Sequence, residues 1–204
     1  MTALRQTGMR VAAAALVAAA AGCGGSGSNP FDIPPEVSNP AQTSGRKLSF
    51  AYFQRCVYPI FQAQLQINVN GVVSTNSCAA SGCHDNANGT GGALRLFPAA
   101  EVDLTDPAST PDAIRATDMY KNFYSAQGET VIGSPATSRL LNKPLIRGVL
   151  HGGGLIFASD QDPNARAFAY WISRPMPLGQ DEFGSAANSM FTPPDPSTGA
   201  CNTE

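Results

Sequence analysis

Two cysteines and a histidine stand close together in the segment Cys78-Ala-Ala-Ser-Gly-Cys83-His84. Two thiols followed directly by a histidine are the arrangement that attaches haem covalently to a protein. The thiols add to the vinyl groups of the porphyrin, and the histidine becomes an axial ligand of the iron. The common motif has two residues between the cysteines, whereas this chain has four, a rarer variant. The segment predicts one covalent haem c, held by Cys78 and Cys83, with His84 as proximal iron ligand.

The N-terminus has the features of a bacterial secretion signal. Arg5 and Arg10 supply positive charge, and residues 11–21 are almost wholly Ala, Val and Leu. An apolar run of this length is too short to cross a bilayer stably and is typical of a cleaved signal peptide. We therefore expect residues 1–22 to be a signal peptide.

The end of this segment, Ala20-Ala21-Gly22-Cys23, resembles a bacterial lipobox. The resemblance implies cleavage before Cys23 and acylation of that cysteine, whereas an ordinary signal peptide with an incidental cysteine is the alternative. Gly24 follows in place of an inner-membrane-retaining aspartate, which favours the outer membrane, facing the periplasm or the cell surface. Residues 23–46 are rich in Gly, Ser and Pro and predict a flexible, lipid-anchored tether.

Composition limits the remaining possibilities. Without residues 1–22, 182 residues remain, enough for one domain with a hydrophobic core. The formal net charge moves from −2 to −4, with 11 basic and 15 acidic residues, so no basic footprint for nucleic acid exists. The 20 glycines and 16 prolines predict a fold rich in loops.

Apolar residues recur at helical spacing in several segments. A first helix is predicted over Leu48 to Leu65, with a kink or an early stop at Pro59. A second has Thr110 as N-cap and Pro111 at its first position. Its predicted buried face consists of Ala113, Ala116, Tyr120, Phe123 and Tyr124.

Two further helices and one irregular connection complete the pattern. A short helix is predicted from Ser134-Pro135, ending before Pro144, and the last begins near Ser159 or Asp160. The last helix is predicted to turn Ala165, Phe168, Trp171 and Ile172 inward. Residues 68–77 are expected to form an irregular connection or a short hairpin. The fold class predicted is mainly α, with long loops around one haem.

The order of these phrases resembles the monohaem cytochrome-like domains of bacterial envelope lipoproteins, which are similar to class I cytochromes c. Those domains have an aromatic helix running into a proline, as in Tyr58-Pro59-Ile60-Phe61, and a Gly-Gly-x-Leu-x-Leu phrase, matched by residues 91–96. A Gly-x-Pro-x-x-Ser-x-Leu phrase follows at residues 133–140, and a helix ends in Trp171-Ile172. The resemblance covers roughly residues 50–175. It implies a fold in which the first and last helices pack together around the haem.

Where those domains have a Met-Pro-Pro type loop, this chain has His151-Gly152-Gly153-Gly154. Glycines permit the close backbone approach that a second axial ligand needs, and only two histidines exist in the chain. We expect His151 to be the distal iron ligand. A surface histidine in a flexible turn is the alternative, with Met176 as the next candidate ligand; Met119 and Met190 are poorer ones.

Two cysteines remain after lipid and haem are assigned. Cys56 and Cys201 are expected to form a disulfide in an oxidising envelope compartment, tying the C-terminal tail to the first helix. Two unpaired thiols are the alternative.

Three rival functions use the same residues. Cys78, Cys83, His84 and His151 form a formal Cys2His2 zinc set, although adjacent ligands are awkward for one tetrahedral ion. His-Gly-Gly-Gly also occurs as an oxyanion-hole phrase in lipases, but no Gly-x-Ser-x-Gly nucleophile motif accompanies it. A structural lipoprotein with a Cys78–Cys83 disulfide and no cofactor is the third.

The interpretation favoured by the sequence is an electron carrier. Residues 47–204 are expected to form a monohaem cytochrome c-like domain with a C-terminal tail, exchanging electrons with a redox partner protein of the envelope. We do not expect an enzyme, although a labile distal ligand would allow peroxidase-type activity or sensing. The main alternative is a non-haem structural or zinc-binding envelope lipoprotein.

Overall fold

The computed structural model describes residues 45–204; the predicted signal peptide, Cys23 and the predicted tether up to residue 44 lie outside the described residues. The helices are, in chain order, α1 (Phe50–Tyr52), a π-helical turn (Phe53–Val57), α2 (Tyr58–Gln62), α3 (Pro111–Arg115), α4 (Asp118–Gly128), a 3₁₀ turn (Pro135–Thr137), α5 (Arg139–Asn142), α6 (Pro163–Ser173) and a second 3₁₀ turn (Ser185–Met190). Two antiparallel strand pairs accompany them, β1 (Leu65–Val69) with β2 (Val72–Asn76) and β3 (Phe191–Thr192) with β4 (Ala200–Cys201). In this part of the chain no helix is long and apolar enough to cross a membrane.

The first helical segment accommodates its proline by a change of helix type. The Ser49 side chain caps α1 by accepting a hydrogen bond from the Tyr52 N–H. Pro59 lacks an N–H and its ring crowds the carbonyl one turn back, which an ideal α-helix cannot absorb. The π-helical turn lies immediately before α2, and the segment continues past Pro59 to Gln62. The helical segment therefore does not stop at Pro59; it widens into a π-helical turn just before α2.

The predicted second helix is two helices. Thr110 caps α3 as expected, but Thr117 begins a new helix by accepting from the Tyr120 N–H. This second cap resets the helical phase, so the predicted buried face is largely wrong: Ala113, Ala116 and Tyr124 are exposed. The residues that α3 and α4 actually bury are Ile114, Met119, Asn122, Phe123 and Ala126.

The later helices lie close to their predicted positions. The segment from Pro135 is a 3₁₀ turn followed by α5. The last helix, α6, starts at Pro163, because Asp162 caps it by accepting from the Asn164 N–H. Its buried residues include the four predicted ones, Ala165, Phe168, Trp171 and Ile172.

The core forms where α6 crosses the π-helical turn. Trp171 is fully buried, and its indole N–H donates to the Ser49 carbonyl at 2.9 Å. Its ring lies 5.4 Å from that of Phe53 and 6.1 Å from that of Phe123. The indole hydrogen bond joins the first and last long helical segments directly, which fixes the wall of the cavity described below.

The C-terminal tail is tied to this core. Cys56 and Cys201 are joined by a disulfide that closes a loop of 145 residues. The Tyr52 hydroxyl donates to the Asn202 carbonyl beside it. The tail after α6 is thus attached to the π-helical turn covalently and by hydrogen bonding.

Candidate functional site

The Cys78–His84 segment is a closed turn on the end of α2. The His84 N–H donates to the Cys78 carbonyl at 3.0 Å, and the Ala79 N–H donates to the Phe61 carbonyl at 3.0 Å. Gly82 has φ +84°, a left-handed conformation that side chains disfavour, immediately before Cys83. Both Cys78 and Cys83 are partly buried free thiols. The four-residue spacing is therefore folded back into a compact turn that carries both thiols and the histidine.

His84 is oriented by the segment that follows it. Its Nδ1 lies 3.2 Å from the Leu94 carbonyl oxygen, and its own carbonyl accepts from the Leu96 N–H at 2.8 Å. A carbonyl oxygen only accepts, so Nδ1 carries the proton and Nε2 keeps its lone pair. Burial, with lesser contributions from the nearby charges of Lys143 and Arg95, lowers the pKa of His84. The ring is therefore held neutral, as a metal ligand must be.

His151 is oriented in the same way by its own loop. Its Nδ1 lies 2.8 Å from the Gly154 carbonyl oxygen, and the Gly154 N–H returns a bond to the His151 carbonyl at 2.9 Å. Nδ1 is again the protonated nitrogen, and the Nε2 lone pair is free. This small ring fixes the imidazole relative to the backbone.

The loop of His151 is supported by the β1–β2 hairpin. Asn68 and Leu155 exchange two backbone hydrogen bonds, each of 2.9 Å. Gly154, with φ +76°, approaches the hairpin so closely that a Cβ atom there would lie 2.4 Å from the Asn68 carbonyl oxygen. The hairpin thus positions the second histidine. It is one of the two alternatives that the sequence left open for residues 68–77.

The two imidazoles face one another across the cavity. Their ring centroids are 6.2 Å apart and their planes are inclined by only 14°. A metal ion bound between two imidazoles at about 2 Å from each nitrogen needs rings at about this separation. The spacing of the two rings is therefore compatible with one metal ion held between them.

A cavity of about 390 Å³ lies between these elements. It is lined by both thiol-bearing cysteines, both histidines, and the apolar residues Leu65, Ile67 and Ile156. A narrow recess continues from it and is walled by Phe61, Leu94, Leu140 and Phe168. An apolar cavity with two thiols at its edge and two opposed imidazoles has the donor set that a covalent haem requires.

Burial affects the acidity of the Cys78 thiol. Burial, and to a lesser extent the neighbouring Cys83, raises the pKa of Cys78 to about 11, so this thiol is protonated at neutral pH. Zinc binds thiolates. Across residues 45–204, no group of three or more His, Cys, Asp and Glu side chains converges on a point that could hold a metal ion. The Cys2His2 zinc set stays an alternative interpretation, because these four residues line the same cavity.

Met176, the alternative distal ligand, lies elsewhere. Its side chain is buried with Ala51 and Ala187 in a separate apolar cluster, and its N–H donates to the Lys47 carbonyl at 2.8 Å. It lines neither the cavity nor its recess. Met119 and Met190 belong to the main core. Of these candidates, His151 is the one that faces His84.

The structure adds site residues that the sequence analysis missed. Lys143 lines both the cavity and the recess, and Leu65 and Ile67 of β1 form one wall. Buried and exposed residues alternate only weakly along β1, so its sequence does not mark Leu65 and Ile67 as site residues. Lys143 follows the four-residue helix α5, and nothing in the local sequence indicates that it lines a cavity. Lys143 and the two β1 residues come together because α5 and the hairpin both lie beside the Cys78–His84 turn.

The chain matches no protein-family model, no curated protein and no solved structure.

Proposed function

We propose that residues 47–204 form a monohaem c-type cytochrome domain whose function is electron transfer. Cys78 and Cys83 would hold a haem through thioether bonds, and His84 and His151 would hold its iron. The observation that carries this proposal is the opposed pair of imidazoles 6.2 Å apart, each with its Nδ1 engaged by a carbonyl and its Nε2 free.

The chain's own residues define what the site can do. When bound, a haem supplies a one-electron iron couple. The Leu94 and Gly154 carbonyls hold the two imidazoles in fixed orientations and raise their basicity as ligands. The side chains of Phe61 and Phe168 give the recess an apolar wall against which a porphyrin edge would pack. Two histidine ligands leave no open coordination position, which favours outer-sphere electron transfer over reactions with oxygen or peroxide.

The location and partners of the protein belong to the same proposal. Acylation of Cys23 anchors the chain to the bacterial envelope, with the outer membrane favoured by Gly24. The tether up to residue 46 lets the domain reach a redox partner protein without leaving the lipid surface.

The first experiment is an absorption spectrum of protein produced with a haem-attachment system, followed by a pyridine haemochrome assay after acid-acetone extraction. We expect haem that resists extraction and sharp low-spin ferrous bands. Cys78→Ala with Cys83→Ala removes the attachment and serves as the negative control. Extractable haem, or none, contradicts the proposal and brings forward the structural or zinc-binding lipoprotein.

Axial ligation is tested by His151→Ala beside Met176→Leu. We expect the first variant to lose the low-spin spectrum and the second to retain it, because Met176 lies in a separate apolar cluster and lines neither the cavity nor its recess. A wild-type spectrum in His151→Ala contradicts bis-histidine ligation. A pentacoordinate ferrous spectrum in the unmodified protein replaces simple electron transfer with a sensing or peroxidase-type role.

A further inference from the structure

Lys143 places a positive charge at a cavity whose walls are partly apolar. It lines both the main cavity and the recess, and its Nζ lies 4.0 Å from where a Cβ of Gly92 would be. Arg139, one turn earlier on α5, lines the same recess. Two cations spaced four residues apart therefore stand along one side of the site.

Neither cation has an anionic partner among residues 45–204. No described carboxylate lies within ion-pair distance of Lys143 or Arg139, and Glu129, which also lines the recess, is not within that distance of either. Five other cations of the described residues are paired with carboxylates, among them Lys121 with Asp118 and Arg147 with Asp160. Arg46, Lys47, Arg95 and Arg174 have no such ion pair with a described carboxylate, but none of these four lines the cavity or the recess.

The missing partner has an energetic consequence. A planar apolar ligand that fills the cavity strips water from the Lys143 ammonium, which is already partly buried. Desolvating an unpaired charge is costly, whereas a charge-assisted hydrogen bond to an anion offsets that cost. The cavity therefore favours a ligand that has an apolar body and an anionic group at the edge facing α5.

We propose that Lys143 is the counter-ion of a carboxylate on the ligand of this cavity, with Arg139 supporting it at the more exposed end. This inference rests on the proposed function, in which the ligand is haem and the carboxylates are its propionates. Lys143 is then a positioning residue that sets the orientation of the porphyrin and raises the reduction potential of the iron, because a nearby positive charge disfavours the oxidised state.

The test compares Lys143→Gln with Lys121→Gln in the full, haem-loaded protein. Both variants remove one positive charge, but Lys121 is an exposed residue paired with Asp118 and lines neither part of the site. We expect a lower midpoint potential in Lys143→Gln and a shifted carboxylate band in its redox-difference infrared spectrum. Lys143→Arg restores both values, and Lys121→Gln changes neither.

The inference is overturned if Lys143→Gln has the same midpoint potential as Lys121→Gln and if neither variant changes the carboxylate bands of the unmodified protein. Should Lys143→Gln fail to retain haem, Lys143→Arg decides: recovery of haem and potential supports the charge, and failure of this variant too overturns it. If the unmodified protein holds no covalent haem, the proposed function fails first and this assignment fails with it. The unmodified spectrum thus distinguishes the two failures.

Discussion

Gly91 lies so close to the imidazole of His84 that a residue with a Cβ atom would not fit in its place. A Cβ atom at Gly91 would lie 2.5 Å from His84 Nδ1 and 2.7 Å from the Cys83 carbonyl oxygen. The Gly91 N–H also donates to that carbonyl at 2.7 Å. Gly91, the first glycine of the Gly-Gly-x-Leu-x-Leu phrase, is therefore required for the orientation of His84, because even one methyl group would displace the ring or the Cys78–His84 turn.

Gly91→Ala tests this relationship. We expect the overpacking to cost about 1–3 kcal/mol of stability and to reduce the fraction of protein that retains low-spin haem. Gly128→Ala is the control, because a Cβ there meets nothing within 4 Å and Gly128 lines neither the cavity nor its recess. Absorption spectra and urea unfolding of the two variants provide the measurement. Equal effects at the two positions would show that Gly91 has no special role.

Gly154→Ala tests whether the β1–β2 hairpin positions His151. The substitution drives a Cβ into the Asn68 carbonyl, so we expect the distal histidine to leave the iron while His84 stays bound. Carbon monoxide binding to the ferrous protein measures the opened position. Gly148→Ala has a similarly positive φ of +67° but open space around it, and it controls for backbone strain alone. Carbon monoxide binding that does not distinguish the two variants contradicts the prediction.

Glu182 predicts how the domain responds to acid. Its carboxylate accepts from Arg115 Nε at 3.0 Å and from the Tyr120 hydroxyl at 2.7 Å, with only 3% of the side chain exposed. Burial raises the pKa of Glu182, but hydrogen bonds from its own backbone, Tyr120 and Arg115 outweigh burial and lower it overall. We expect Glu182→Gln to lower the free energy of unfolding at pH 7 by about 1–3 kcal/mol.

The sign of the pH dependence follows from that lowered pKa. A carboxyl group whose pKa is lower in the folded than in the unfolded state contributes fully above its unfolded value, here about 4.5, and loses its contribution as the pH falls through the folded value. The difference between wild type and Glu182→Gln should therefore shrink in urea titrations below about pH 4.5. Asp118→Asn, which breaks an exposed ion pair with Lys121, should change stability by less than about 1 kcal/mol. A constant difference at all pH values would contradict the assignment.

The Cys56–Cys201 disulfide is expected to stabilise the fold without serving the site. Closing a loop of 145 residues contributes about 3–5 kcal/mol through the entropy of the unfolded chain. Cys56→Ala with Cys201→Ala should lose that stability in urea unfolding and keep the low-spin spectrum. Tyr52→Phe, which removes the neighbouring hydrogen bond to Asn202, should cost only about 1 kcal/mol. If the folded double variant lost the low-spin spectrum, the disulfide would be needed for the geometry of the site as well as for stability.

The sequence by itself determined the features that depend on near neighbours. Cys78, Cys83 and His84 carry their chemical meaning within seven consecutive residues, and Thr110 and Pro111 specify the start of a helix through local hydrogen bonding and backbone geometry. The inward face of α6 follows from helical periodicity, because that helix has a single uninterrupted phase. The same reasoning failed on α4, where the second cap at Thr117 shifts the phase.

Only the tertiary structure decided what stands opposite His84. His151 lies 67 residues further along the chain, and the Asn68–Leu155 backbone pair brings its loop to the cavity. Met176 was the alternative ligand, but it is buried against Ala51 in a separate cluster and does not line the cavity. Lys143 lines the cavity because of how α5 packs, which no local pattern encodes. Contacts between distant segments depend on the whole packing of the core, so the ligand pair and its surrounding charges emerge only when the chain is folded.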